Sequence, residues 1–398
     1  MLKRIIDWLD ERTHIRNILR EQFIDYRVPR NLTFPYVFGV LSLITMLMQF
    51  ISGILLSMYY EPSIHEAFDS VNYLIMKKVN FGWFFRHVHA AGANFFMALI
   101  YLHIATAIYY NAYKRPRELT WIVGCIIYLL LITTALTGYI LPWGQLSYWG
   151  GVVTPEIPGS IPGGIGEIIA TWMKGGYRLG DLALGRLFAF HAILLPMLLT
   201  IMVVIHLILI RRIGVTDPSG VEKKEEKIPF HPYVSLKELA ISMWFLALFS
   251  FFIFFKMDKF LPAENFEPAD FMKTPSHIAP EWYLLAFFQV FRSIPDKFLG
   301  FIAFNLIIIF LFLLPFLDFS AVRSARNRPA FFFMYIVLIV SFVSLTILGT
   351  LEPTPINIKL GLFFTFTLFL FFISLPVISI IECKRMNLER EECRTKEF

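Results

Sequence analysis

The chain is 398 residues long, 57% hydrophobic and only 17% charged, with a mean hydropathy of +0.63 and a formal net charge of +6. Soluble domains carry about 25% charged residues, and 43 Phe present more apolar surface than one water-facing globule hides. The numbers argue against a soluble enzyme and for a bilayer protein, in which excess positive charge reports loop orientation rather than nucleic-acid binding.

In chain order, residues 1–30 place apolar side chains at helical spacing among charges, as an amphipathic surface segment does, and are too charged for a secretory signal. Charge-free windows then mark the bilayer, because an ionised side chain at its centre costs about 2.5–3.5 kcal/mol. They are Asn31–Tyr60 (span 1), His87–Tyr113 (span 2), Leu119–Pro155 (span 3), Leu187–Ile210 (span 4), Leu239–Phe255 (span 5), Phe298–Leu317 (span 6), Pro329–Leu351 (span 7) and Leu360–Ile381 (span 8). Each can hold a crossing of ~20 residues, span 5 at the lower limit. The third is too long for one crossing, and Leu141-Pro142-Trp143-Gly144 is expected to stop its helix. The Gly- and Pro-rich stretch to about Gly185 reads as a long surface connection of the kind that is often functional. Trp282–Phe291 is too short to cross and reads as a re-entrant or interfacial helix.

The expected fold is an all-α integral membrane protein with eight transmembrane helices. A four-helix N-terminal domain (31–215) is joined by a linker (216–238) to a four-helix C-terminal domain (239–381), with a charged tail at 382–398. Cys125 lies in an apolar stretch and Cys383 and Cys393 in the tail; they match no disulfide framework, zinc pattern or C-x-x-C-H attachment, so any cofactor must use other ligands. Eight spans put both termini on one side, where 24 of the 36 Lys and Arg fall. The positive-inside rule makes that the cytoplasmic, negative side. Spans 1 and 3 then run outward, spans 2 and 4 inward.

Four histidines stand in membrane windows: His89 and His103 on span 2, His191 and His206 on span 4. Histidine is expensive in lipid unless it binds something. The first two are 14 residues apart, about 21 Å along a helix and within about 40° of one face; the second two are 15 apart, about 60° offset. With parallel helices, His89 meets His191 near the positive side and His103 meets His206 near the negative side. Neutral imidazole is a good axial ligand for haem iron. For any one histidine, a hydrogen bond to a neighbouring helix is about as good an account; for two depth-matched pairs it is much the weaker one. Gly39 and Gly53 on span 1, and Gly124 and Gly138 on span 3, repeat the 14-residue spacing at the same two depths. Small-residue packing is the ordinary explanation, but the match favours two flat macrocycles in a four-helix bundle. Arg86, three residues before His89, is placed to pair with a haem propionate, and Arg186, five before His191, similarly.

At these residues the chain resembles cytochrome b, the core subunit of quinol-oxidising cytochrome bc complexes. The carrying segments are RHVHAAGANFFMALIYLHIATAIYY (Arg86–Tyr110), GYILPWGQLSYWG (Gly138–Gly150), FAFH (Phe188–His191), KIPFHPY (Lys227–Tyr233) and PEWY (Pro280–Tyr283), and the similarity covers nearly the whole chain. The resemblance implies a low-potential b-type haem on His89 and His191 and a high-potential one on His103 and His206. Two departures stand out. The 15-residue spacing on span 4 is that of photosynthetic and some bacterial members, yet all eight helices sit in one polypeptide and no cysteine stands early in span 1 for an extra covalent haem. Where mitochondrial members carry a histidine at the end of span 4, this chain has Arg211-Arg212.

Two quinone pockets are implied. On the positive side Glu281, between Pro280 and the apolar run from Trp282, is expected to be desolvated and to accept a proton from quinol, although an interfacial Glu facing water is otherwise the commoner case. Tyr283 is its hydrogen-bonding or gating partner; the Trp143–Gly151 segment forms the opposite wall, with Trp149 lining it and Gly150 leaving room for the ring. Tyr148, Trp149 and Trp282 equally suit an interfacial aromatic belt. On the negative side Phe230, Lys237, Glu238 and, more weakly, Arg211 are the candidates, against a solvated loop. The implied activity is bifurcated quinol oxidation coupled to proton translocation. It needs a Rieske iron–sulfur protein and a c-type cytochrome as partners, membrane lipid around it, no nucleic acid, and a homodimer. The basic tail and the absence of a transit-peptide pattern point to a bacterial inner membrane. The competing readings are a di-haem anchor of a dehydrogenase, which leaves PEWY unexplained, and a proton-coupled secondary transporter with histidine relays, which shows no haem spectrum.

Overall fold

The computed structural model describes residues 2–221, 226–275 and 278–386. Among them eight helices are long and apolar enough to cross a membrane: Phe34–Ser57, Gly82–Tyr109, Glu118–Ile140, Asp181–Ile213, Tyr233–Phe255, Lys297–Leu317, Pro329–Thr350 and Pro355–Arg385. They correspond one to one with the expected spans. Spans 2, 4, 5 and 8 reach past their charge-free windows because Arg86, Arg186, Lys237, Glu238, Lys359 and Glu382 lie in their terminal turns. Long charged side chains near a helix end lay their stems on apolar surface and their heads at its edge, so charge ends the window before it ends the helix.

Span 1 packs along span 2, span 3 along span 4, and spans 7 and 8 along each other. The stretch expected to re-enter is a turn at Trp282–Leu284 followed by the helix Leu285–Ser293, packed against spans 6, 7 and 8 with Phe287, Gln289, Val290 and Ser293 buried. The helix of span 3 stops as expected: Trp143 takes a left-handed φ of 53°. The connection that follows is largely helical, in pieces Gln145–Val153, Glu156–Gly159 and Ile165–Lys174. Its Gly and Pro residues fall mostly between or at the ends of these pieces, which is why composition reads as loop.

Two features cross the expected domain limits. Arg27–Pro29 (β1) and Lys227–Pro229 (β2) form a short antiparallel pair, Val28 opposite Ile228, that joins the N-terminal segment to the linker. Before it, Leu2–Thr13 and Ile15–Leu19 are helical and expose Ile5, Trp8, Leu9 and Ile15. The segment between spans 5 and 6 folds back on the helix Gln145–Val153. The Glu267 carbonyl accepts from the Gln145 N–H at 2.9 Å, the Asn265 side chain from the Ser147 N–H at 2.8 Å, and Gly144 bridges to Pro268.

At the other end a buried ion cluster links the halves. Asp318 accepts two bonds from Arg328 at 2.7 and 2.8 Å, one from Ser379 at 3.0 Å and one from Tyr113, and pairs with Lys114 at 3.1 Å; Arg328 also reaches Glu382. Burial alone would push the Asp318 carboxyl up, but Arg328 and Lys114 hold it well below the usual carboxylate range. Cys125 is buried and free, whereas Cys383 is disulfide-bonded, a pairing the spacing of the cysteines did not suggest; Cys393 lies outside the described residues.

Candidate functional site

The antiparallel packing of spans 1 and 2 brings early residues of one against late residues of the other. A Cβ added to Gly39 would sit 3.3 Å from Cε1 of His103, and one on Gly53 would sit 3.1 Å from Cε1 of His89. Spans 3 and 4 repeat the arrangement, with Gly124 facing His206 at 3.4 Å and Gly138 facing His191 at 2.2 Å. His89 and His191 rings lie 6.0 Å apart, so spans 2 and 4 run parallel and the two histidines share one depth. The spacing-based pairing of each glycine with its histidine therefore matches the geometry.

Hydrogen bonds fix the tautomers of the His89–His191 pair. The Ser52 hydroxyl donates its one proton to the Met48 carbonyl at 2.7 Å, so it can only accept from Nδ1 of His89, 3.0 Å away. Nδ1 of His191 lies 2.8 Å from the Thr134 carbonyl, which is also an acceptor. In both rings the proton belongs on Nδ1 and the Nε2 lone pair is left for a metal, the arrangement in which a partner orients a ligating imidazole. His206 Nδ1 is buried without a hydrogen-bond partner. His89 and His191 line, with Gly53, Gly138 and Phe188, a cavity of about 440 Å³ whose charged side chains are Arg86 and Glu281. Nitrogen donors with free lone pairs, glycines whose side chains would crowd the imidazoles, and one cation in the lining together fit a b-type haem.

Arg186 does not line this cavity. Its guanidinium donates to the Trp172 carbonyl at 2.8 Å and lies over the Trp172 ring, held by the helix that sequence composition had read as loop.

A second, smaller cavity of about 50 Å³ adjoins the first and shares Tyr139, Glu281 and Tyr283 with it; Gly150 and Pro280 are among its other walls. Burial pushes the Glu281 carboxyl up to about 7. Burial and the nearby Glu281 carboxylate also raise the Tyr283 phenol well above its ordinary range, so it stays a donor. The PEWY turn is fastened to span 2: Trp282 Nε1 donates to Asn94 at 2.7 Å, and the Tyr101 hydroxyl donates to the Tyr283 carbonyl. Trp149 turns away from this pocket and donates to the Asp270 carbonyl at 3.3 Å. At Gly150 an added Cβ would lie 3.0 Å from Cε1 of Tyr139, so the glycine makes room first for that ring. Tyr139, at the boundary of both cavities, escaped the sequence reading; it directly follows Gly138, the only signal available.

On the opposite side Arg211 lies over the rings of Tyr26, Phe230 and Phe23, at 4.4, 5.1 and 5.9 Å, and donates to the Gln22 carbonyl at 3.0 Å. Glu238 is half-buried and within the field of Arg211, whereas Lys237 is exposed. Of the four negative-side candidates the fold gathers Arg211, Phe230 and Glu238 and leaves Lys237 toward solvent.

Comparison with known proteins gives one consistent answer. Residues 23–214 match the family model described as Cytochrome b/b6/petB, and residues 268–369 the model described as Cytochrome b(C-terminal)/b6/petD. The chain is 37% identical over 406 residues to the cytochrome b of Allochromatium vinosum, covering 97% of both chains. It is 39% identical to the cytochrome b/c1 of Bradyrhizobium diazoefficiens, covering 96% of this chain and 55% of that protein. A solved structure titled "Hyperthermophilic respiratory Complex III" aligns with a TM-score of 0.92 at 57% identity, covering 95% of this chain and 99% of that one.

Proposed function

The chain belongs to the cytochrome b family and is the membrane subunit of a Complex III-type quinol–cytochrome c oxidoreductase, and on that premise we propose which of its residues do the work. Haem of the b type is held on the positive side by His89 and His191 and on the negative side by His103 and His206, with the four glycines leaving space for the macrocycles and Arg86 neutralising a propionate. When bound, the haems supply a one-electron path between the two faces of the membrane. The reading is carried by the glycine–histidine registration at two depths in four different helices. It is tested by reduced-minus-oxidised spectroscopy of the purified complex. Two b-type haems per chain are expected, and His103→Leu should remove only one; a single haem in the parent protein, or loss of both in the variant, refutes the assignment.

Quinol is oxidised beside Glu281, where the small cavity meets the larger one. As quinol gives up two electrons it releases two protons; the carboxylate, half ionised near neutrality, takes one, passes it outward and is then free to take the other, while Tyr283 donates to the ring oxygen. One electron leaves to a Rieske iron–sulfur partner and the other crosses to the negative-side pocket of Phe230, Glu238 and Arg211, with Lys237 at its rim. Because ionisation of Glu281 rises with pH through about 7, quinol oxidation should rise over the same range. Glu281→Gln should flatten that limb and slow turnover about a hundredfold at normal haem content. An unchanged pH–rate profile in the variant would exclude the proton role.

The Complex III neighbour and the relative named cytochrome b/c1 support a Rieske protein and a c-type cytochrome as partners. A homodimer, a bacterial inner membrane and cytoplasmic termini remain part of the same proposal, the last on the excess of Lys and Arg on that side. So do the domain limits 31–215 and 239–381.

A further inference from the structure

The negative-side pocket has a polar group that the reading above does not use. The β1–β2 pair is extended by two backbone bonds, Phe230 N–H to the Tyr26 carbonyl and His231 N–H to the Phe23 carbonyl, both 2.8 Å. These bonds hold Tyr26 against Phe230, ring centroids 6.3 Å apart, and directly beneath the Arg211 guanidinium. The Tyr26 hydroxyl is nevertheless buried with no hydrogen-bond partner. A phenol hidden from water and left unbonded costs free energy in any fold, and burial raises this one above its ordinary range, so it remains a donor. It stands in the field of two cations, Arg211 and Arg117, and the first of these also acts on Glu238. What completes such a set is an uncharged acceptor oxygen on a flat apolar ring, which an aromatic wall of Tyr26 and Phe230 also accommodates.

We propose that Tyr26 is a substrate-binding residue of the negative-side quinone site, its hydroxyl donating to a quinone carbonyl oxygen that lies beside the stacked Arg211 guanidinium. The inference rests on the assignment of that pocket to quinone. Tyr26 and Arg211 then act together at the position where the family's mitochondrial members use a histidine: the phenol supplies the directional bond, and the guanidinium supplies the positive charge that favours the reduced oxygen.

The test uses the intact complex and decylubiquinone, with a short-chain naphthoquinone run in parallel. Tyr26→Phe keeps the ring under Arg211 and removes only the hydroxyl. Two quantities are read: the apparent KM for quinone in reoxidation of b-type haem, and the Kd of the oxidised quinone by calorimetry. Both should rise about fivefold, the loss of one hydrogen bond. Haem content and the first-turnover reduction of b-type haem by quinol, which precedes reoxidation at the negative side, should stay at parental values. Glu238→Gln serves as the comparator. Parental KM and Kd in Tyr26→Phe, with Glu238→Gln impaired, overturns the role of Tyr26 and leaves the pocket standing. Parental values in both variants overturn the pocket assignment as well.

Discussion

Gly138→Ala should strip the complex of its positive-side haem and leave the negative-side one in place. The added methyl would come within 2.2 Å of Cε1, 2.6 Å of Nδ1 and 2.8 Å of Nε2 of His191, so it meets the whole ring. The ring has little freedom to retreat, because Nδ1 is tied to the Thr134 carbonyl at 2.8 Å and the far side faces His89. Overpacking of this kind costs about 1–3 kcal/mol, here applied to the group that must present its lone pair. The other three glycines leave 3.1 to 3.4 Å to their histidines, a gap that a few tenths of an ångström of movement relieves. The expected order of haem loss is therefore Gly138, then Gly53, then Gly39 and Gly124. Haem per chain, with the separate absorbance of the two centres, reads it directly. Full occupancy in Gly138→Ala, or greater loss in Gly124→Ala, contradicts the geometry.

Arg328→Met is the second large effect, and it bears on stability. The guanidinium and the Asp318 carboxylate are both fully buried, and Arg328 supplies two of the bonds that keep Asp318 ionised. Removing one partner of a buried ion pair leaves an uncompensated charge and costs about 3–5 kcal/mol. Lys114 cannot replace the two bonds Arg328 makes, since burial pulls its own affinity for a proton down and two backbone carbonyls already share its ammonium. Because Lys114 and Tyr113 belong to the link between spans 2 and 3 while Asp318, Arg328 and Glu382 belong to the C-terminal half, the loss should appear as separation of the halves on heating. Thermal inactivation should fall by many degrees, and adding Asp318→Asn should restore part of the loss. A parental melting curve for Arg328→Met would show that the pair contributes nothing. Asp318 is held below its unfolded value, so its contribution is present above the usual carboxylate range and fades as acid titrates the folded carboxyl.

What the sequence makes legible follows from how costly the alternatives are. Charge in a bilayer is expensive enough that eight windows survive as eight helices, and a repeat of 14 or 15 residues fixes depth and face together, so the glycine–histidine pairs emerge from the sequence. Helix ends are less legible, because Arg86, Lys237 and Glu382 sit inside the terminal turns rather than beyond them. The site's least legible parts are long-range. Nothing local says that residues 265–270 will seat on Gln145 and Ser147, that Tyr139 will divide two cavities, or that Arg27–Pro29 will find Lys227–Pro229 and carry Tyr26 to Arg211. Arg186 misleads for the same reason: five residues before a histidine is a plausible distance along a helix, but Trp172 arrives from another element.

The fastening of Trp282 and Tyr283 to Asn94 and Tyr101 has a mechanical consequence. Tunnelling rates fall steeply with the gap between donor and acceptor, so thermal breathing at the wrong place would scatter them. On the proposed assignment, the turn beside the quinol is bolted to the same rod that bears His89 and His103. Sway of that rod would then carry both along in register, so the gap between them would vary less than one between two separately anchored helices.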